Sequence, residues 1–162
     1  MDKLNCKVRS LNNKDLVDVA ELYTLFWNDS MDISKMEQNF SELSKNPNYI
    51  FLCAEENGKV IGTIQGIICE ELYGKCLPFL VMENFVIAEK YRGRGVGREL
   101  LKELEKIGKE RKCSQIIFIT ETETGLMLPE AVSLYKKKGY IQIPNYGQYK
   151  NMEKSICFAK DL

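Results

Sequence analysis

Two hydrophobic rhythms alternate along the chain. Leu4 to Leu11 alternates loosely, as a first strand would, and Asn12-Asn13 then offers a helix cap. Apolar residues follow at Leu16, Val19, Ala20, Leu22, Tyr23 and Phe26, the three-and-four spacing of one helical face. A second helix is predicted from Ile33 to Leu43, stopped before Asn46-Pro47-Asn48. Strand patterns come next. Tyr49 to Ala54 is an apolar run, Glu56-Asn57-Gly58-Lys59 reads as a hairpin turn, and Val60 to Ile68 returns as its partner. Gly74 to Pro78 turns the chain into a long β-prone run, Phe79 to Ile87. From Gly97 the helical rhythm returns, with Leu100, Leu101, Leu104 and Ile107 on one stripe. Gln115 to Thr120 is an apolar strand, and Leu128 to Lys138 is a short helix ended by Gly139. Tyr140 to Ile143 and Glu153 to Ala159 close the pattern. The order β-α-α-β-β-β-α-β-α-β-β predicts an α/β fold, one mixed sheet with helices on both faces.

Composition narrows the function. A length of 162 residues suits a single domain, 1–162, and no repeat or Pro/Gly/Ser-rich linker divides it. The 23 basic residues balance 23 acidic ones, so no global pull toward nucleic acid or an anionic membrane exists. The run Lys102 to Lys112 reads as a solvated helix face, because Glu99, Glu103, Glu105 and Glu110 interrupt its charge. Met1-Asp2-Lys3-Leu4-Asn5 lacks the apolar segment of a secretory signal, and no apolar run approaches the ~20 residues of a membrane span. The six cysteines contain no CxxC pair, and Cys53, Cys69 and Cys157 sit inside apolar runs. They read as reduced core thiols of a cytoplasmic protein, with no metal expected.

Histidine is absent. That removes Ser-His-Asp and Cys-His pairs, HExxH zinc chemistry and any imidazole proton transfer. Acid–base work must fall to Glu, Asp, Tyr, Lys, Cys or water.

The chemistry concentrates in Arg92-Gly93-Arg94-Gly95-Val96-Gly97-Arg98, between a predicted strand and a predicted helix. Glycines there let the backbone turn tightly and converge several N–H groups at a helix N-terminus, a ready anion site. Three arginines in these seven residues add fixed positive charge, which suits a ligand with several phosphates. No Walker loop is present, since Gly-x4-Gly-Lys-Ser/Thr does not occur. A GxGxxG reading from Gly93 fails as well, with Arg98 where the last glycine belongs. The pattern that matches is Arg/Gln-x-x-Gly-x-Gly/Ala, as Arg92-Gly93-Arg94-Gly95-Val96-Gly97.

With this loop the sequence resembles the GNAT superfamily of acyl-CoA-dependent N-acetyltransferases. Glu83-Asn84-Phe85-Val86-Ile87 is similar to that family's fourth strand, and Ala131, Leu134-Tyr135 and Gly139-Tyr140 are similar to its later helix-to-strand signature. Tyr140 stands where Phe is commoner, and Leu128 where many members carry a cofactor-contacting Asn. The resemblance is strong from about Phe79 to Tyr140. It implies a mostly antiparallel mixed sheet of six or seven strands whose fourth and fifth strands splay. It implies acetyl-CoA as the cofactor, with pyrophosphate on the amides of Arg94 to Arg98 and Arg92, Gly93, Gly95, Val96 and Gly97 completing the loop. The pantetheine arm would pair with the backbone of Phe85, Val86 and Ile87, where an N–H could polarise the thioester carbonyl. Tyr135 occupies the position of the family's general acid, and a phenol, with a reference pKa near 10, is protonated at neutral pH.

An amine acceptor must lose a proton before attack. Glu83 is the candidate base, sharing a strand face with Phe85 and Ile87 if alternation holds, and Glu121 is second. In this family the acceptor enters between the early helices and the loop joining the last two strands. Trp27 and Tyr146 are the substrate candidates there, with Glu121 beside them. Rings with a few acids suit a small amine, although Tyr23 and Trp27 could equally form the buried stripe of their helix. The expected activity is acetyl transfer from acetyl-CoA to a small-molecule primary amine. A lysine or N-terminal acetyltransferase and a non-catalytic acyl-CoA-binding domain are the alternatives, and a homodimer through the last strands stays open.

Overall fold

The computed structural model describes residues 6–121 and 129–162, and among these it contains seven strands and four α-helices. The strands are β1 (Lys7–Ser10), β2 (Tyr49–Glu56), β3 (Lys59–Cys69), β4 (Phe79–Ile87), β5 (Gln115–Glu121), β6 (Ile141–Ile143) and β7 (Ser155–Asp161). The helices are α1 (Leu16–Trp27), α2 (Ile33–Leu43), α3 (Val96–Glu110) and α4 (Pro129–Lys137). All seven strands form one sheet in the order β1-β2-β3-β4-β5-β7-β6. Every pair is antiparallel except β4 with β5. The mixed, mostly antiparallel sheet and the order of elements agree with the sequence reading.

Local chemistry explains why the elements begin and end where they do. Asn57 (φ 51°) and Gly58 (φ 81°) form a two-residue turn with both central residues left-handed, the twist that a tight hairpin needs. Ahead of α1, the Asn12 amide donates to Asp15 Oδ2 at 2.7 Å. Asp15 is itself buried and accepts from both terminal nitrogens of Arg9, which holds its carboxyl below the usual carboxylate range. Gly139, at φ 84°, ends the α4 turn as expected of a residue past a helix C-terminus.

The sheet separates two apolar layers. The larger holds Leu52, Ile64, Leu80, Met82, Leu100, Leu101, Leu104, Ile116, Phe118 and Phe158, with α3 and Tyr135 of α4 packed on it. The smaller packs Val19, Cys53 and Val60 with Tyr23 and Met36, under α1 and α2. One sequence expectation fails in α3. Glu105 is 8% exposed rather than part of the solvated face. Tyr140 Oη and Lys160 Nζ both donate to its Oε1 at 3.0 Å. A buried carboxylate needs such partners, and the Tyr140 hydroxyl supplies one that phenylalanine would lack. Among the described residues, no helix is long and apolar enough to cross a membrane.

Candidate active site

The centre of the site exists because β4 and β5 stop pairing. Their parallel register joins Leu80 to Ile116 and Val81 to Ile117 and goes no further. Beyond those residues one edge of β4 has lost its neighbouring strand, the splay that the family resemblance implied. A cleft of about 630 Å³ opens there, between Phe85 and Ile87 of β4, the loop ahead of α3, and Ala131, Leu134 and Tyr135 of α4.

The loop end of this cleft is built from backbone. Gly93 (φ 69°) and Gly95 (φ 91°) adopt conformations that other residues reach only with strain, and Gly95 caps α3. The first helical bond of α3 runs from the Glu99 amide to the Gly95 carbonyl at 3.1 Å. The N–H groups of Val96, Gly97 and Arg98 therefore lack intrahelical acceptors and stand at the positive end of the helix dipole. A Cβ on Gly97 would sit 3.2 Å from Phe85 Cζ, so glycine there lets α3 approach β4 closely. The side chains of Arg92, Arg94 and Arg98 line the same cleft.

The three arginines are not equivalent. Arg92 donates from Nε to the Ile87 carbonyl at 3.1 Å, and its guanidinium lies 5.7 Å from the Phe26 ring centroid. It closes the end of β4 and ties that strand to α1. Arg94 packs against Tyr91, and Arg98 lies 3.6 Å from Glu99 Oε1 with half its side chain exposed. The side chain of Val86 belongs to the core, so only its backbone bears on the role expected of this stretch of β4. Val86 pairs with Thr63 of β3, its side chain is 1% exposed, and it lines neither cavity. The side chain of Val96 is likewise core, so only its amide belongs to the loop.

Tyr135 stands at the inner end of the cleft, 5% exposed, with ring neighbours Phe118 at 4.6 Å and Phe158 at 5.5 Å. Among the described residues its hydroxyl has no hydrogen-bond partner. Burial raises its pKa well above the ordinary tyrosine value, so the phenol is a neutral donor across the physiological range.

A second cavity, about 200 Å³, meets the first at Phe26, Phe85, Thr120 and Tyr135. Glu83 lines its far side with Trp27 and Tyr149. Glu83 is half-buried, and that burial raises its pKa. The expected face-sharing of Glu83 with Phe85 and Ile87 is wrong, and the cause is a β-bulge. Gln65 pairs with Glu83 and Thr63 with Val86, so three steps on β4 match two on β3. Asn84 absorbs the extra residue in the left-handed region, φ 48°. Its Nδ2 donates to Gln65 Oε1 at 2.9 Å, and its carbonyl accepts from the Thr63 hydroxyl at 3.2 Å. The bulge reverses alternation. Met82 and Ile87, one even and one odd, pair with Gly66 and Gly62, and a Cβ on either glycine would meet α3 side chains. Glu83 instead shares its face with Thr63, whose hydroxyl is 3.4 Å from that of Tyr23 on α1.

Of the expected substrate candidates, Trp27 is 39% exposed and sits edge-on to both Tyr23 and Phe26, each at 5.0 Å. Tyr146 does not line the cavity. It packs edge-on behind Tyr149, and burial, with Glu83 among the smaller causes, pushes its hydroxyl up to about 12. Sequence reasoning put Phe26 on the core stripe of α1, whereas it lines both cavities. The side chain of Glu121, and Leu128 with it, lie outside the described residues.

The sequence matches the acetyltransferase (GNAT) family over residues 16–140. The chain belongs to that family. Acetyl transfer is accordingly its chemistry. Solved GNAT-fold structures agree in architecture. A candidate acetyltransferase from Agrobacterium tumefaciens shares 24% identity over 88% of this chain and 97% of its own, with a TM-score of 0.77. The ribosomal-protein-alanine N-acetyltransferase of Brucella melitensis shares 18% identity over 96% and 99%, with a TM-score of 0.73. Arabidopsis thaliana NAA60 in complex with a bisubstrate analogue shares 15% over 97% and 98%, with a TM-score of 0.74. At such identities the likeness is one of fold. No curated protein is a significant match to the sequence.

Proposed function

We propose that this GNAT chain acetylates the primary amine of a small molecule, using acetyl-CoA and holding both reactants at once. The observation that carries the reading is the meeting of two cavities at Tyr135, with an anion cradle at one end and a carboxylate at the other. The residues present suit acetyl-CoA. Free amides of Val96, Gly97 and Arg98, with Arg94 and Arg98, match a pyrophosphate, and the narrow gap beside Phe85 and Ile87 matches a thin polar arm. When bound, acetyl-CoA supplies the activated thioester.

The chain's own groups do the rest. Glu83 takes one proton from the acceptor ammonium, leaving a nucleophilic amine. A β4 amide on the strand edge that β5 leaves unpaired would polarise the thioester carbonyl of bound acetyl-CoA. Tyr135 would give its proton to the departing sulfur of acetyl-CoA as the C–S bond breaks and the N–C bond forms. It recovers that proton from the nitrogen, so the products are an amide, a free thiol and one proton. Holding amine and thioester side by side supplies much of the acceleration.

Thermal unfolding with acetyl-CoA, free CoA and NAD tests the reading. A ligand at about 100 times its dissociation constant adds roughly 2.7 kcal/mol to the native state. Stabilisation by both CoA forms and not by NAD is expected. No shift with either CoA form overturns the assignment.

A further inference from the structure

The smaller cavity carries information about the acceptor that the catalytic groups do not. We infer that it selects a compact monoamine with an apolar or aromatic body and no carboxylate, an inference that rests on the transferase reading above. Size is the first argument. Drug-sized ligands occupy roughly 300–1,000 Å³, and this cavity is about 200 Å³. A space below that range suits a small molecule of roughly ten non-hydrogen atoms. A folded peptide segment or a multi-ring sugar does not enter such a space.

Charge is the second argument. Among the described residues lining the cavity, Glu83 is the one charged side chain, and no lysine or arginine is present. Its carboxylate has no hydrogen bond or ion pair with any described residue, so it is available to an incoming ammonium. A free amino acid would bring a carboxylate into a space with no cation to receive it. A polyamine would bring a second ammonium, for which no second carboxylate lines the cavity among the described residues.

Ring placement is the third argument. Trp27 and Tyr149 line the cavity with Glu83, and Phe26, Phe85, Phe118 and Tyr135 add four more rings, beside the neutral polar side chains of Asn84 and Thr120. Aromatic faces attract ammonium groups and bury apolar bodies at little entropic cost. One carboxylate among rings is the chemistry of a monocation with an apolar tail. The transfer is the one above: the N–C bond forms as the thioester C–S bond breaks, with one net proton released.

The test compares four acceptors with acetyl-CoA, followed by thiol release and mass spectrometry of the product: 2-phenylethylamine, L-phenylalanine, spermidine and a short alanine-initiated peptide. Leaving a buried charge unpaired costs several kcal/mol, so 2-phenylethylamine is expected to exceed L-phenylalanine by at least about 100-fold in kcat/KM. Trp27→Ala and Tyr149→Ala are each expected to raise its KM about tenfold and leave the KM for acetyl-CoA unchanged. Two separate variants protect the result against one that misfolds. The inference is overturned if phenylalanine, spermidine or the peptide matches the monoamine, or if KM for 2-phenylethylamine stays constant in both variants. It is overturned also if none of the four is acetylated. Stabilisation by acetyl-CoA in that last case leaves the transferase reading standing, whereas its absence removes both.

Discussion

The two ends of the site are built from different materials. The end proposed for the cofactor is built from backbone: left-handed Gly93 and Gly95, a helix start whose first amides lack intrahelical acceptors, and Gly97 allowing α3 to lie on Phe85. The end proposed for the acceptor is lined by side chains drawn largely from α1, β4 and the 3-10 turn Gly147–Tyr149. Backbone geometry constrains residue type tightly, since few residues tolerate φ near +90°. Side-chain cavities tolerate exchange, and their chemistry is set by which segments meet. The cofactor end is therefore common ground for a family, and the acceptor end is where members can diverge.

The sharpest way to break the cofactor end is to fill it. Gly97→Leu would push against Phe85, 3.2 Å from the new Cβ, and against Leu134 at 3.6 Å. We expect complete loss of stabilisation by acetyl-CoA, with far-UV circular dichroism showing a retained fold. Retained stabilisation would mean that the phosphates bind elsewhere. Next in size is Tyr135→Phe, which removes one proton donor and keeps the ring among Phe85, Phe118 and Phe158. General acid catalysis contributes roughly 10²–10⁴-fold, so kcat should fall by at least about 100-fold. Binding of acetyl-CoA by calorimetry should change less than about twofold. Equal losses in both would make Tyr135 a packing residue.

This contrast decides what could be read in advance. The glycine loop, the strand ahead of it and Tyr135 were legible because fixed spacing and residue type declare them. Most of the fold was legible too, since α2 and β4 begin and end at the residues that the sequence pattern predicted. The bulge at Asn84 was not. Nothing in Glu83-Asn84-Phe85 except the tolerance of Asn for left-handed backbone signals an extra residue, and strict alternation assigned Glu83 to the wrong face. Glu105 was misread because its neighbours Glu103 and Lys106 are solvent-facing charges, whereas its partners Tyr140 and Lys160 lie 35 and 55 residues away. Tyr149 and not Tyr146 lines the acceptor cavity because of the tight Gly147–Tyr149 turn, which spacing alone does not place.

The smallest of these effects tests the acceptor end. Glu83 acts as a base only when ionised, and burial raises its pKa above the ordinary glutamate value near 4.3. Activity should therefore rise with pH, through a midpoint displaced upward from that value. Glu83→Gln keeps the shape of the side chain and removes the titration. We expect kcat/KM near neutral pH to fall about tenfold, because water can still carry the proton away. The acidic limb of the pH profile should also vanish. Losing the limb of kcat itself separates a base from a carboxylate that only attracts ammonium, since attraction alone would change KM and leave kcat intact. A limb that persists in Glu83→Gln would move the base to another group, with Glu121 the next to replace. The backbone cradle should not notice the change, and acetyl-CoA should bind Glu83→Gln as it binds the native chain.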